Sequence, residues 1–297
     1  MPRERTSGRP SGNRPGRTRA WQRANVLVTA QNHPMALRLT RWGHSCVRLD
    51  DDQRHLVIDP GAFSNLDAAL DGAQAVLVTH EHVDHLAVDR VAEAVRGGVP
   101  LWGPEPVLAL LRGAGVPDDR LHPVRAGDRV HAAGFDVRVL GEWHAVVHPD
   151  IPRIANVAYL VEGVLHPGDA HVQPPDTPDV ALLPISGPWL ALAEAVDRAR
   201  DVGAPRVVPV HDGLLNERGL NLLHGLVGRL LGGSEVVVLG EGESIEITGG
   251  AAVTELPAHT DEIPLLEEDE TIPPRPEEEV ADVARATPDP LGHGGGA

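Results

Sequence analysis

The stretch from Val76 to Val88, VLVTHEHVDHLAV, constrains the fold of this chain more than any other sequence feature. An apolar run typical of a strand buried on both faces leads directly into three histidines and two acidic residues between His80 and His85. The end of a buried strand does not tolerate such polarity unless the side chains are paired. Neutral imidazole and carboxylate are ordinary ligands of zinc and related metals, so a bound cation would satisfy them. The alternative is a solvated helix start with incidental histidines and Asp84 as N-cap, which accounts poorly for so dense a cluster.

The spacing within this cluster favours convergence of its side chains. In extended backbone, His80 and His82 project to the same side. Asp84 and His85 follow where a helix should begin, so the chain turns there and presents them to a neighbouring point. Further ligands have to come from elsewhere in the chain. His144, Asp169 and His211 each follow an apolar β-prone run, and loops at strand ends gather polar groups on a rigid scaffold.

The hydrophobic pattern of the middle of the chain predicts a layered α/β domain. Strands are predicted at 37–42, 46–49, 55–59, 75–79, 136–141, 157–161, 179–184, 206–210 and 235–240, and helices at 85–97, 104–115, 188–203 and 219–233. This mixture indicates sheets covered by helices. We see no internal linker between residues 35 and 254, so one domain is expected over that range.

The two ends of the chain differ from this middle part. Residues 1–34 contain seven arginines and one glutamate, and residues 255–297 contain twelve acidic residues, two arginines and a proline-rich run. Such segments bury too little apolar surface to offset the entropy of ordering, so both are predicted to be disordered. Ordered-looking sequence begins at Met35, so either Met35 is the true start or residues 1–34 are a basic N-terminal extension; the sequence leaves both open.

Composition excludes several classes of function. The net charge is −17, of which about −13 falls on residues 35–254, and so acidic a domain disfavours nucleic acid as a partner. No stretch approaches 18 uninterrupted apolar residues, so no membrane span is predicted. The single cysteine, Cys46, excludes an internal disulfide and a cysteine-rich zinc site. We expect a cytoplasmic protein; the sequence does not determine its oligomeric state.

The order of these motifs resembles that of a known family. THEHVDHL, then His144, HPGDAH and PVHDG resemble the metallo-β-lactamase superfamily of metallohydrolases over residues 36–250. WGHSCVRL followed by LVIDPG is similar to a small prokaryotic branch that contains ascorbate-6-phosphate lactonase-like proteins and uncharacterised metal-dependent hydrolases. The resemblance implies a four-layer αββα sandwich with the metals at one edge.

The resemblance also implies a site for two divalent metal ions, with zinc expected and manganese or iron as alternatives. One ion is held by His80, His82 and His144, the second by Asp84, His85 and His211, and Asp169 bridges both. His148 is an alternative to His144, while His166 and His171 are expected to support the site or the fold. Asp59 is expected to orient the ligand loop through hydrogen bonds, to form a turn before Pro-Gly, or both.

The implied activity is hydrolysis of an ester, lactone or phosphoester of a small molecule by a metal-bridging hydroxide. Asp84 is expected to orient the nucleophile and take its proton, and His148 to protonate the leaving group. An anionic substrate is suggested by LLPISGPW, where Ser186, Gly187 and Trp189 would line a pocket at a helix N-terminus; the alternative is an ordinary proline-capped helix.

Four other functions are alternatives to this hydrolase. A protein of the same fold could hold iron and carry out oxygen or thiol chemistry. It could also hydrolyse RNA or another phosphodiester, or it could have lost catalytic activity and serve as an interaction protein. A cysteine enzyme built on Cys46 and His44 lacks an evident third group to orient the histidine.

Overall fold

Two mixed β-sheets of seven strands each form the centre of the fold. The computed structural model describes residues 36–247, so the predicted tails and Met35 lie outside the described residues. Across the first sheet the strands are β14 (Ser244–Ile247), β1 (Leu37–Arg41), β2 (Val47–Asp50), β3 (His55–Ile58), β4 (Ala75–Leu77), β5 (Leu101–Gly103) and β6 (Leu121–Pro123). Across the second they are β13 (Glu235–Val236), β12 (Arg206–Val210), β11 (Val180–Pro184), β10 (Val164–His166), β9 (Ala158–Val161), β8 (Phe135–Leu140) and β7 (Arg129–Ala132).

Each sheet is antiparallel in one half and parallel in the other. Strands β14 to β3 and β7 to β10 pair antiparallel, whereas β3 to β6 and β10 to β13 pair parallel. In β8 the inward residues Phe135, Val137 and Val139 alternate with more exposed ones, as expected for a strand with one covered face. Every residue of β4 and β11 is buried, which fits parallel strands covered on both faces.

The helices lie outside the two sheets. They are α1 (Leu66–Leu70), α2 (Val88–Arg96), α3 (Glu105–Gly113), α4 (Leu192–Val202) and α5 (Glu217–Leu230). Helices α2 and α3 pack on the first sheet through residues such as Val91, Val95 and Leu108. Helices α4 and α5 pack on the second sheet through residues such as Val196 and Val227.

A third apolar core lies between the sheets, where Leu39 and Leu49 pack in the same cluster as Val137 and Tyr159. Helix, sheet, sheet and helix therefore form four successive layers. The predicted αββα sandwich is confirmed. In the described range, no helix combines the length and apolar character that crossing a membrane requires.

Most predicted elements are present, with shifted ends. Helix α2 begins at Val88 rather than near Asp84, and Ala87 precedes it without a side-chain cap. The backbone before α2 is held by the preceding loop, since Ala87 N–H donates to Pro60 O and Ala62 N–H donates to Val83 O. The strand predicted at 75–79 ends at Leu77, and the strand predicted at 235–240 is confined to Glu235–Val236.

Candidate metal centre

The loops that carry the predicted ligands converge at one edge of the sandwich. His80, His82, Asp84 and His85 follow β4, while His144 follows β8, Asp169 follows β10 and His211 follows β12. Strands β3 and β4 run parallel in one sheet, and β10, β11 and β12 run parallel in the other. Their carboxyl ends therefore meet at a shared edge, where open α/β sheets bind ligands.

Two groups of four side chains at this edge could each hold a metal ion. One group contains His80, His82, His144 and Asp169, and the other contains His44, Asp84, His85 and His211. Within each group the ligand atoms all lie within 4.8 Å of one another. The structure thus brings all seven predicted ligands together and adds His44. His82 is exposed and Asp84 half-buried, so the centre opens to solvent beside these two residues.

Asp169 lies between the two groups. Its Oδ2 is 3.3 Å from His144 Nε2 in the first group and 3.1 Å from His211 Nε2 in the second. Its Oδ1 is 3.1 Å from His85 Nε2, also in the second group. One carboxylate therefore reaches histidines of both groups, as required of a bridging ligand.

Several of the converging atoms are buried without a partner. Within residues 36–247, His85 Nε2, His144 Nε2 and Asp169 Oδ1 are inaccessible and make no hydrogen bond of acceptable geometry, although His85 Nε2 and Asp169 Oδ1 lie 3.1 Å apart. Buried polar atoms in folded proteins are almost always hydrogen-bonded, and leaving them unpaired is costly. Nitrogen lone pairs and a carboxylate oxygen that face a common point are a donor set for divalent cations. The residues present therefore fit the metal ions that the fold implies.

Hydrogen bonds on the far side of the rings point the Nε2 atoms inward. His85 Nδ1 donates to Asp59 Oδ2 at 2.6 Å, and His144 Nδ1 donates to Ala145 O at 2.6 Å. His211 Nδ1 donates to Ser186 O. These bonds occupy Nδ1 and turn the Nε2 atoms toward the centre, the arrangement found around protein-bound metals.

Asp59 connects two of the candidate ligand histidines. It is fully buried, with φ of +53°, and Thr79 N–H and Thr79 Oγ1 both donate to its carboxylate at 2.7 Å. Because the only hydroxyl proton of Thr79 is used on Asp59, its oxygen accepts from His80 Nδ1 at 3.0 Å. Asp59 therefore orients His85 directly and His80 through Thr79. It also occupies the turn before Pro-Gly, so the structure shows both features that were expected of it.

Substitutions of Thr79 test how much the orientation of His80 by its hydroxyl contributes to metal affinity. Thr79→Val keeps the side-chain volume and removes the hydroxyl that holds His80, so we expect metal affinity to fall by about 10–100-fold. Thr79→Ser retains the hydroxyl and should bind metal like the unaltered chain. Competition titration with a chromogenic chelator measures both, and equal affinities for the valine and serine variants would contradict this role.

Sequence reasoning did not assign His44 to the metal centre. It lies in the turn between β1 and β2 with φ of +48°, and its ring centroid is 4.1 Å from that of His211. Gly213 N–H donates to His44 Nδ1 at 3.0 Å, and Nε2 lies 3.1 Å from Asp84 Oδ2. Burial lowers the pKa of His44 despite its hydrogen bond with Asp84, which favours the neutral ring. A neutral ring that accepts at Nδ1 carries its proton on Nε2, so His44 donates to Asp84.

The ionisable side chains of the centre shift one another's pKa values. Burial disfavours the charged form of Asp84, but the hydrogen bond from His44 and the charge of His85 hold its pKa at about 2. Burial would lower the pKa of His85, yet the carboxylates of Asp169 and Asp59 raise it well above its usual value. Burial, aided by nearby His85, holds the pKa of His80 well below the usual value. A cation that binds His85 therefore has to displace a proton from its ring.

The remaining histidines considered from the sequence lie outside the two groups. His148 is exposed, and its Nδ1 accepts from Asp150 N–H at 3.1 Å. His166 is buried and uses both ring nitrogens, with Nε2 on Ser45 O at 2.8 Å and Nδ1 on Gly168 N–H at 3.2 Å. His171 is only partly buried and lies near Glu194. The proton-donor role of His148 stays a prediction.

The segment expected to form an anion pocket instead supports Asp169 and His211. Helix α4 starts at Leu192, four residues after Pro188, so Pro188 does not open it. Trp189 Nε1 donates to Asp169 Oδ2 at 3.0 Å, and a Cβ on Gly187 would lie 2.9 Å from that nitrogen. The side chain of Trp189 is buried against the centre rather than presented to solvent.

Asn156 is a second supporting residue that the sequence analysis missed. It is fully buried, its Oδ1 accepts from Asp169 N–H at 3.0 Å, and its Nδ2 donates to Val157 O and Pro167 O. These bonds fix the loop that carries Asp169. A single asparagine just before a predicted strand has no sequence pattern that separates it from a turn residue.

Comparison with known proteins decides the family. A family model described as "Beta-lactamase superfamily domain" matches residues 38–211, more than half of the chain. The chain belongs to this superfamily. The chain is 35% identical over 197 residues to Protein Rv0786c of Mycobacterium tuberculosis, a match that covers 64% of this chain and 90% of that protein. It is 30% identical over 204 residues to a UPF0173 metal-dependent hydrolase of Methylobacterium nodulans, covering 60% of this chain and 85% of that one.

A solved structure of a bacterial protein shares the fold. The metallo-β-lactamase fold protein YhfI of Bacillus subtilis aligns with a TM-score of 0.56 and 17% identity, over 71% of this chain and 99% of YhfI. The superfamily predicted from the motifs and its class of enzyme, metallohydrolase, are thereby confirmed.

Proposed function

We propose that this metallohydrolase cleaves an ester, lactone or phosphoester of a small molecule at a centre of two divalent metal ions. The observation that carries the proposal is the position of Asp169, whose two oxygens reach histidines of both groups. Zinc is the expected ion, and the mixed nitrogen and oxygen donor set also suits manganese or iron.

The proposed ligands are those predicted from the resemblance. His80, His82 and His144 would hold one ion, Asp84, His85 and His211 the other, and Asp169 both. The proton on His44 Nε2 leaves no lone pair for a cation, so His44 is proposed as a donor that positions Asp84 and not as a ligand.

His44→Gln tests this distinction, since the glutamine amide can still donate to Asp84. We expect His44→Gln to keep two metal ions per chain, whereas His211→Gln should lose one. Inductively coupled plasma mass spectrometry measures both variants. Loss of a full equivalent from His44→Gln would make His44 a ligand.

In the proposed reaction, the chain's own residues position water and substrate. When bound, the two ions supply Lewis-acid polarisation of the scissile group and lower the pKa of a water molecule toward neutrality. Asp84 is ionised at neutral pH, because its pKa is about 2. Its Oδ2 accepts from His44, and no hydrogen bond within the described range engages its Oδ1, which is available to orient the attacking water and receive its proton.

The experiment is a substrate screen of the full chain loaded separately with zinc, manganese or iron. The panel contains lactones, carboxylic esters, thioesters, phosphodiesters and β-lactams. We expect metal-dependent hydrolysis of at least one class, abolished by chelation and restored by the ion. Metal-loaded chain that hydrolyses none of them contradicts the proposal, and oxygen consumption by the iron form would favour the redox alternative.

A further inference from the structure

We propose that the substrate joins an anionic group, bound by Arg153, to an apolar body that lies against the segment 143–154. This inference rests on the proposed hydrolase function and deepens it. It concerns a cavity of about 70 Å³ beside the metal centre, lined by His82 and His144 of the first ligand group. The other lining residues are aliphatic, such as Val147, Ile151 and Ile154, apart from Arg153.

Arg153 is held in place beside the ligand histidine. Its Nε and Nη2 both donate to His144 O, at 3.0 and 2.9 Å. The backbone of His144 thus fixes the guanidinium, while the ring of the same residue faces Asp169 at the centre. An anion on Arg153 would therefore be held at a constant position relative to the reacting group.

The charge of Arg153 has no carboxylate partner within residues 36–247, although its guanidinium carbon lies 5.9 Å from the centroid of the Trp143 ring. No carboxylate of the described part lies within ion-pair distance of it, and its Nη1 makes no hydrogen bond there. Arg41, Arg54 and Arg138, in contrast, are paired with carboxylates. In so acidic a chain, an anchored and unpaired guanidinium at the wall of a cavity is suited to binding a carboxylate or phosphate of the substrate.

Many of the exposed apolar side chains lie around the centre. Ten large hydrophobic side chains in the described range are exposed, and six of them lie on loops that carry or adjoin the centre. These six are Phe63, Val83, Trp143, Val146, Ile151 and Leu214, with exposures from 42% to 68%. Exposed apolar side chains are normally scattered singly over a protein surface. Their grouping around a concave site therefore marks a ligand surface. A small polar anion would use Arg153 but would leave this surface uncovered.

Three para-nitrophenyl esters test separately the anionic group and the apolar body of the proposed substrate. The hexanoate ester is apolar and neutral, the monoester of succinic acid is anionic and short, and the monoester of nonanedioic acid is anionic and apolar. With the full, metal-loaded chain, we expect kcat/KM for the nonanedioic monoester to exceed each of the others by about tenfold. Equal values for all three would overturn the inference.

Matched arginine variants assign the anion contact. We expect Arg153→Met to reduce the preference for the nonanedioic over the hexanoate ester by about tenfold, mainly through KM. Arg125→Met, which alters an exposed arginine in the turn before β7, should leave the preference and the activity unchanged. An unchanged preference in Arg153→Met would exclude Arg153 as the anion site.

A binding measurement keeps the inference separate from the hydrolase proposal. If metal-loaded chain cleaves no ester, the proposed function fails, and binding alone decides the ligand class. We then expect nonanoate to raise the melting temperature of the unaltered chain more than acetate or hexanol does. In Arg153→Met, nonanoate should lose this advantage over the other two ligands. Identical shifts for the three ligands would contradict the inference.

Discussion

Asp169→Asn is expected to lose both metal ions and all metal-dependent hydrolysis. Among the described residues, Asp169 is the carboxylate placed against both ligand groups, with Oδ2 3.3 Å from His144 Nε2 of the first group and Oδ1 3.1 Å from His85 Nε2 of the second. Asparagine has nearly the same shape, but it removes the negative charge between two cations. Its amide also presents N–H donors to nitrogen lone pairs that a cation would otherwise use.

The fold of Asp169→Asn should persist, because the backbone contact with Asn156 does not depend on the carboxylate. Asp119→Asn, an exposed carboxyl in the turn Asp118–Arg120, is the matched control and should retain two ions. Metal analysis and circular dichroism of the two variants measure these expectations. A full equivalent of metal retained by Asp169→Asn would show that Asp169 does not bridge the two groups.

Gly61→Ala should disrupt the centre from a position that contacts no metal. A Cβ on Gly61 would lie 1.7 Å from Asp84 O and 2.5 Å from His85 N, so the backbone that carries two proposed ligands has to move. The two loops are also joined by the bond from Ala62 N–H to Val83 O, which would be strained by that movement. We expect loss of at least the second metal ion and a destabilisation of about 3 kcal/mol, the upper end for overpacking a core.

Gly113→Ala is the matched control for this clash. Gly113 ends α3, and a Cβ there would meet nothing within 4 Å, so alanine should be neutral or slightly stabilising. Metal analysis and thermal unfolding of both variants give the comparison. If Gly61→Ala bound two ions and melted at the same temperature as Gly113→Ala, the close approach of the loops at Gly61 would be required neither for metal binding nor for stability.

The sequence predicts the parts of this site that follow a local pattern. The apolar run through Leu77 and the motif from His80 to His85 are adjacent in sequence, so their strand-then-ligand order is readable without tertiary information. His144, Asp169 and His211 follow other apolar runs, and parallel strand order brings them to the same edge.

Contacts made only by tertiary folding were not predicted. His44 lies 40 residues before Asp84, in a turn with no periodic signal, and its hydrogen bonds exist because β1 and β12 end at the same edge. The indole of Trp189 reaches Asp169 across the loop after β11, which a proline-led helix pattern does not indicate. Strand β5 has three residues, Leu101–Gly103, too few for a hydrophobic pattern to separate it from a loop.

Titration of the metal-free full chain with zinc, followed by native mass spectrometry, tests the central claim most directly. The arrangement of His80, His82 and His144 on one side of Asp169 and of Asp84, His85 and His211 on the other predicts a final species that carries two zinc ions per chain. A chain that saturates with one ion or none would contradict a two-metal centre.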